Sequence, residues 1–66
     1  MRIDVNGDGR EVADDLLLGA LVDERVDDRR GVAVAVDGEV VPRRDWDRTT
    51  LYDGAHVEVV GAVQGG

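Results

Sequence analysis

The sequence has 66 residues, of which 15 are acidic and 8 are basic, with a formal net charge of −7 and no cysteine. A chain of this length predicts a single domain with a small core and little room for a substrate pocket of its own. The lack of cysteine excludes disulfides and cysteine-based zinc sites, and the acidic balance disfavours nucleic acid as a partner.

The start of the chain predicts a β-hairpin. Residues 2–6 alternate between polar and apolar side chains, the pattern of a half-buried strand with Ile3 and Val5 facing inward. The Asn-Gly and Asp-Gly pairs that follow accept positive φ and favour a tight turn. Residues 10–12 are therefore the expected return strand.

A helix is predicted over residues 14–25, because apolar residues recur there at the spacing of one helix face. Leu18 and Val22 widen that face, so one flank of the helix is expected to lie under a loop or a partner. The predicted face consists of Ala13, Leu16, Leu17, Ala20 and Leu21.

Residues 32–36 form the clearest predicted strand, with three valines on one face and Ala33 and Ala35 on the other. The valine face is expected to pack on the helix, and the shallow alanine face leaves room for a partner. Asp-Gly at residues 37–38 predicts a second hairpin turn. Pro42 is expected to end the return strand because it has no N–H to pair.

The remaining segments predict a turn or short helix and then a final strand. Trp46 is expected to close one end of the core from residues 43–47. Residues 56–60 alternate as the last strand, in which His56 is expected to be an exposed strand residue. The predicted core consists of Ile3, Val5, Leu17, Leu21, Val34, Val36, Val57 and Val59.

This order of elements predicts an α+β fold, in which a mixed sheet of four or five strands packs on one helix in the β-grasp (ubiquitin-like) arrangement. We expect a single domain over residues 1–66 with a flexible C-terminal tail over residues 61–66. The sequence lacks an apolar run of the roughly 18 residues that span a bilayer and the apolar centre of a signal peptide. A cytoplasmic protein without membrane contact is therefore expected. Phosphate loops, HExxH motifs and catalytic triads are also absent from the sequence, so we expect no catalytic residue, metal or cofactor.

The sequence ends in Gly65-Gly66. Glycine has no Cβ, so two such residues can pass through a narrow channel into another enzyme and leave the terminal carbonyl carbon open to attack. A carboxylate becomes an acyl donor only after activation, and adenylation by ATP supplies a mixed anhydride that a sulfur nucleophile can displace. We therefore expect the Gly66 carboxylate to be the working group, with Gln64 and Gly65 giving access to the partner's active site.

The chain resembles the ThiS family of sulfur carriers in thiamin thiazole biosynthesis over essentially its whole length. The terminal Gly-Gly is shared by every ubiquitin-like carrier, whereas Val-Pro-Arg at residues 41–43 followed by Trp46 is more discriminating. One departure is Gly61-Ala62, in a stretch that is often bulkier in the family. The other matching features are Asn6-Gly7, Leu16-Leu17, the alanine-rich strand 32–36 and Asp53-Gly54.

This resemblance implies a carrier that catalyses nothing alone. A ThiF-type enzyme would adenylate the Gly66 carboxylate, and a persulfide from a cysteine desulfurase would convert it to a thiocarboxylate. A ThiG-type thiazole synthase would then accept the sulfur. The expected partner interface consists of Ala33, Ala35, Val60, Ala62 and Val63.

Three alternative functions remain open from the sequence. The first is a sulfur carrier of molybdopterin or cysteine synthesis, although such carriers tend to be longer and the segment from Pro42 to Trp46 argues against them. The second is a ubiquitin-like modifier that is conjugated to lysines, and the third is a plain ligand-binding β-grasp domain.

Overall fold

The computed structural model describes residues 1–61, in which five strands form one sheet that packs against one α-helix. The elements are β1 (Arg2–Val5), β2 (Asp8–Glu11), α1 (Leu18–Arg25), β3 (Val32–Val36), β4 (Glu39–Val40), a 3-10 helix (Arg43–Arg48) and β5 (His56–Gly61). The strand order is β2-β1-β5-β3-β4, with β1 and β5 parallel and the other neighbours antiparallel. This arrangement confirms the predicted α+β, β-grasp fold.

Two tight turns set the hairpins of the sheet. Asn6 and Gly7 have φ angles of 53° and 91°, and Asp37 and Gly38 have φ angles of 51° and 84°. Positive φ at both central residues is the mark of a type I′ turn, whose twist matches that of the flanking strands. Both predicted turns are confirmed. Strand β2 begins at Asp8, earlier than predicted, because the first turn needs only two residues.

Helix α1 is shorter than predicted and begins at Leu18 instead of residue 14. Leu17 is extended, with φ −90° and ψ 152°, and forms an isolated antiparallel bridge with Thr50. The Leu18 N–H donates to the carbonyl of Thr49 at 2.9 Å. Pairing with a segment far away in the sequence therefore fixes the start of the helix.

The buried face of α1 also differs from the predicted face. Leu18, Leu21 and Val22 are fully buried, so the face that packs on the sheet is rotated relative to the prediction. Of the predicted face, only Leu21 is fully buried: the helix does not extend back to the residues before Leu18, and Ala20 lies within the helix on its exposed side. The other predicted positions are half-buried or exposed: Ala13, Leu16, Leu17 and Ala20.

The core confirms most of the predicted set. Val36 and Val59 are half-buried and pack against it, whereas the prediction for Leu17 was wrong because that residue precedes the helix and bridges to the neighbouring segment. Leu51 and Ala55 were not predicted, since neither belongs to an element with a clear apolar period. The buried core residues of the described chain are Ile3, Val5, Leu18, Leu21, Val22, Val34, Trp46, Leu51, Ala55 and Val57.

Trp46 closes one end of the core from the 3-10 helix, as predicted. It is 1% exposed, and its Nε1–H donates to the carbonyl oxygen of Val41 at 2.8 Å. The Arg29 guanidinium lies 5.6 Å from the centroid of the indole ring and donates to the carboxylates of Asp23 and Asp47. These hydrogen bonds are the main reason that the pKa of each carboxyl lies below its usual value. Arg29 thus joins α1 to the 3-10 helix.

Candidate functional site

The surface of the sheet opposite α1, here called the outer face, follows from the alternation of the strands. Along β5, Val57 is buried toward the helix, whereas His56, Glu58 and Val60 are exposed. Along β3, Val34 is buried toward the helix in the same way. Because successive side chains of a strand point to opposite sides of the sheet, the neighbours of these two valines lie on the outer face.

Four apolar side chains adjoin on the outer face. Ala33 of β3 lies opposite Val60 of β5, and Ala35 of β3 lies opposite Val40 of β4. Val40 is 75% exposed and Val60 is 61% exposed. The structure thus brings together three residues that were expected at a partner interface. Val40 was missed, although a two-residue turn places it opposite Ala35. The four residues, called the apolar patch below, are Ala33, Ala35, Val40 and Val60.

Glu58 borders this patch, opposite Ala35 and two residues before Val60 on the same face of β5. Its carboxylate is exposed, and it forms no ion pair with any residue in the range 1–61. The small side chain of Ala35 leaves the carboxylate open to an approaching molecule. Glu58 therefore adds a negative charge with no ion-pair partner among the described residues to the border between the apolar patch and the polar groups of Asp4, Asp37 and His56.

The outer face beyond the patch carries polar groups that contact one another, although the buried Asp4 Oδ1 accepts no hydrogen bond from the described residues. His56 Nδ1 lies 3.0 Å from Asp4 Oδ2, and the two residues are register partners in β5 and β1. The backbone N–H of His56 donates to the Asp37 carboxylate at 3.0 Å, and the Asp37 N–H donates to the His56 carbonyl at 2.7 Å. The prediction that His56 is an exposed strand residue is confirmed, since its side chain is 71% exposed. His56 thus contacts both Asp4 and Asp37 within the sheet.

The strand that leads to the end of the chain is held on both sides. Its last residue, Gly61, lies opposite Val32 of β3. On the other side, Asn6 Nδ2 donates to the Val59 carbonyl at 3.2 Å and the Val59 N–H donates to Asn6 Oδ1 at 2.9 Å. The side-chain amide thereby imitates a strand backbone and continues the parallel pairing beyond the end of β1. The sequence analysis placed Asn6 at the end of the first strand and in the turn, and missed this side-chain contact with β5.

The other expected site residues lie outside the described residues: Ala62, Val63, Gln64, Gly65 and Gly66. Within residues 1–61, no group of three histidine, cysteine, aspartate or glutamate side chains is placed to hold a metal ion. Nor does that part of the chain contain a helix with the length and apolar character needed to cross a membrane.

Known proteins resemble this chain in both sequence and structure. A sequence profile described as the ThiS family matches residues 3–66. The chain is 32% identical, over all 66 of its residues, to a thiazole synthase from Paramagnetospirillum magneticum, and it spans only 20% of that protein's length.

Two solved structures from Geobacter metallireducens are similar throughout. The crystal structure of a thiamine biosynthesis protein (ThiS) has a TM-score of 0.82 and 35% identity, with 100% of both chains covered. The NMR solution structure of a thiamine biosynthesis protein has a TM-score of 0.81 and 35% identity, and the similarity covers 100% of this chain and 88% of that one. Because the family profile spans nearly the whole sequence, this chain belongs to the ThiS family.

Proposed function

We propose that this protein is a sulfur carrier in thiamin biosynthesis whose Gly66 carboxylate is adenylated, converted to a thiocarboxylate and used as the sulfur donor for a thiazole synthase. The observation that carries the proposal is that the family match runs through residue 66 and so includes the Gly65-Gly66 end. Similarity of the whole chain to part of a protein named thiazole synthase supports that enzyme as the partner.

The chemistry requires three steps at the C-terminal carboxyl group of Gly66. A carboxylate oxygen attacks the α-phosphorus of ATP and releases pyrophosphate, in the active site of a ThiF-type adenylating enzyme. The terminal sulfur of a persulfide, derived from a cysteine desulfurase, then attacks the carbonyl carbon and expels AMP. A thiol reduces the resulting S–S bond and leaves the thiocarboxylate. The carrier contributes the acyl group and its position, and the partners contribute the catalytic groups.

The residues that precede the reacting carbon matter through their size. A Cβ at position 65 would widen the part of the chain that must enter the partner, and glycine avoids this. The proposal assigns Gln64 and Gly65 to access, and Ala62 and Val63 to contacts with the partner next to the folded domain.

The apolar patch is the proposed docking surface for the adenylating enzyme and the thiazole synthase. Val40 and Val60 are exposed and adjoin Ala33 and Ala35, and contiguous exposed apolar groups mark interaction sites. Ala35→Arg should leave the fold intact and abolish binding to both partners, because the long side chain fills the space over the small alanine and brings a new charge beside Glu58 into the interface. A matched control is Ala20→Arg, which puts the same charge at an exposed position on α1. Binding of the Ala35 variant at parental affinity would refute the assignment of this surface.

The decisive test of the working group is ATP–pyrophosphate exchange with the adenylating enzyme. Adding one alanine after Gly66 moves the carboxylate by about 3.5 Å and adds a Cβ, so exchange should nearly stop. Deleting Gly66 should have the same effect by shortening the reach. Both variants should melt like the parent, because neither change touches the core. If the extended chain supports exchange at the parental rate, the Gly66 carboxylate is not the reacting group.

Mass spectrometry of the protein isolated from cells separates the proposal from its alternatives. A sulfur carrier should show a mass gain equal to the replacement of one oxygen atom by sulfur. A protein modifier should instead appear in adducts of high mass. A plain ligand-binding domain should show neither change.

A further inference from the structure

Glu58 is the feature of the docking surface that the proposed function does not explain. It borders the apolar patch on one side, opposite Ala35 and on the same face as Val60, and on the other side it shares a surface pocket with Asp4, Asp37 and His56. The fold gains nothing evident from a carboxylate there, because Glu58 is exposed and forms no ion pair with the described residues 1–61. The nearest polar pair on the same face is Asp4 with His56, in which His56 Nδ1 lies 3.0 Å from Asp4 Oδ2.

A partner that covers the apolar patch must also cover this carboxylate. Burying an ionised carboxylate without a counter-ion is costly, since the charge loses its hydration and gains nothing in return. A surface with only apolar side chains would therefore bind this face poorly. A surface with a guanidinium or ammonium group among apolar side chains would neutralise the charge and match the patch in shape.

We propose that Glu58 forms an ion pair with an arginine or lysine of the thiazole synthase, inside the interface made by the apolar patch, and so determines which surface this carrier accepts. This inference rests on the proposed function, because it assumes that the patch is the docking surface for that enzyme. It adds the chemistry of the partner's site: a basic side chain surrounded by apolar ones. The negative net charge of the chain, −7, favours approach to such a basic surface.

The test compares Glu58 with Glu39, an exposed glutamate of β4 that also forms no ion pair with residues 1–61. Glu39 is paired in register with Val36, which faces the core side of the sheet. Glu58→Gln and Glu39→Gln remove the same charge with little change in shape, and Glu58→Arg and Glu39→Arg reverse it. Binding to purified thiazole synthase is measured by calorimetry at low and at high salt, and thermal melting verifies the fold of each variant.

Glu58→Gln should weaken binding by about tenfold or more, Glu58→Arg should weaken it further, and the Glu39 variants should stay within about twofold of the parent. The loss of affinity with added salt should also be smaller for Glu58→Gln than for the parent, because an ion pair has been removed. Equal affinities for Glu58→Gln and the parent would overturn the inference. The inference would also be overturned if Glu58→Gln lost affinity only for the adenylating enzyme, since the ion pair would then belong to a different partner.

Ala35→Arg distinguishes failure of this inference from failure of the proposed docking surface. If Ala35→Arg abolishes binding while Glu58→Gln does not weaken it, the docking surface stands and the ion pair is refuted. If Ala35→Arg binds like the parent, the docking surface itself is wrong, and the role of Glu58 is overturned with it.

Discussion

Two neighbouring leucines give the sharpest test of how α1 sits on the sheet. Leu18 is fully buried in the core, and Leu17 is half-buried beside the start of the helix. Leu18→Ala should lower the free energy of unfolding by about 2–5 kcal/mol, because it removes buried methyl groups and leaves a cavity. Leu17→Ala should cost roughly 1 kcal/mol, since only part of that side chain leaves water on folding.

The size of the domain makes this difference easy to measure. A chain of 66 residues has a total stability of about 3–10 kcal/mol at the usual stability per residue, so Leu18→Ala removes a large share of it. Urea denaturation can be followed by the fluorescence of Trp46, the single tryptophan, which is 1% exposed in the folded state. A larger loss of stability for Leu17→Ala than for Leu18→Ala would refute the observed position of the helix.

Three further predictions concern single contacts and are checked by the same denaturation assay. A Cβ at Gly19 would collide most closely with the Asp47 carboxylate and also meet the Arg29 guanidinium. Gly19→Ala should therefore gain more of its helix-propensity benefit of about 1 kcal/mol in an Asp47→Ala background than in the parent, and an equal effect in both backgrounds would contradict this. Arg29 lowers the pKa of the Asp23 and Asp47 carboxyls below their usual value of 3.8. Its ion pairs therefore stabilise the folded state fully when the pH is above the usual pKa, and this stabilisation is lost as the pH falls through the lowered pKa values. The loss of stability caused by Arg29→Gln should therefore be smaller at about pH 3 than at pH 7. A loss that stays the same at both pH values would contradict the role of these ion pairs. Asn6→Gly keeps the positive φ but loses the two hydrogen bonds to Val59, so it should lower the free energy of unfolding by about 1–2 kcal/mol. Asn6→Ala should lower it further, because alanine is also strained at positive φ. If Asn6→Gly cost more than Asn6→Ala, Asn6 would not serve both the turn and the contact with Val59.

The parts of the fold that were predicted correctly depend on short-range chemistry. The turns at residues 6–7 and 37–38 need positive φ at both central positions, which asparagine, aspartate and glycine accept at little cost. The alternation in β3 and β5 follows directly from the period of a strand. Each of these features can be identified within a window of a few residues, and each is present in the structure.

The start of α1 could not be predicted in the same way. Leu16, Leu17 and Leu18 are consecutive and equally apolar, so helical periodicity alone does not determine which of them faces the core. The structure resolves the ambiguity through the bridge between Leu17 and Thr50. Because that partner is distant in sequence, no local pattern contains the information.

Only part of the outer face could be predicted, because some of its residues are brought together by strand pairing. Ala33 and Ala35 stood out because their small size contrasts with the valines of the same strand. Val40 and Glu58 stand out only once the register across β4, β3 and β5 is known, since that register places both of them opposite Ala35. A charge beside an apolar patch is thus visible in the pairing of strands and not in the sequence of any one strand.

Strand β5 connects the proposed docking surface to the proposed reacting group. It lies between β1 and β3 in the sheet, carries Glu58 and Val60 on the outer face, and is held near its end by Asn6. A partner that binds the patch therefore also fixes the point from which the chain continues toward Gly66. Six residues follow Val60, and a fully extended segment of that length spans at most about 20 Å. If the proposed function is correct, every partner that acts on Gly66 must have its active site within about 20 Å of the place where it contacts Val60.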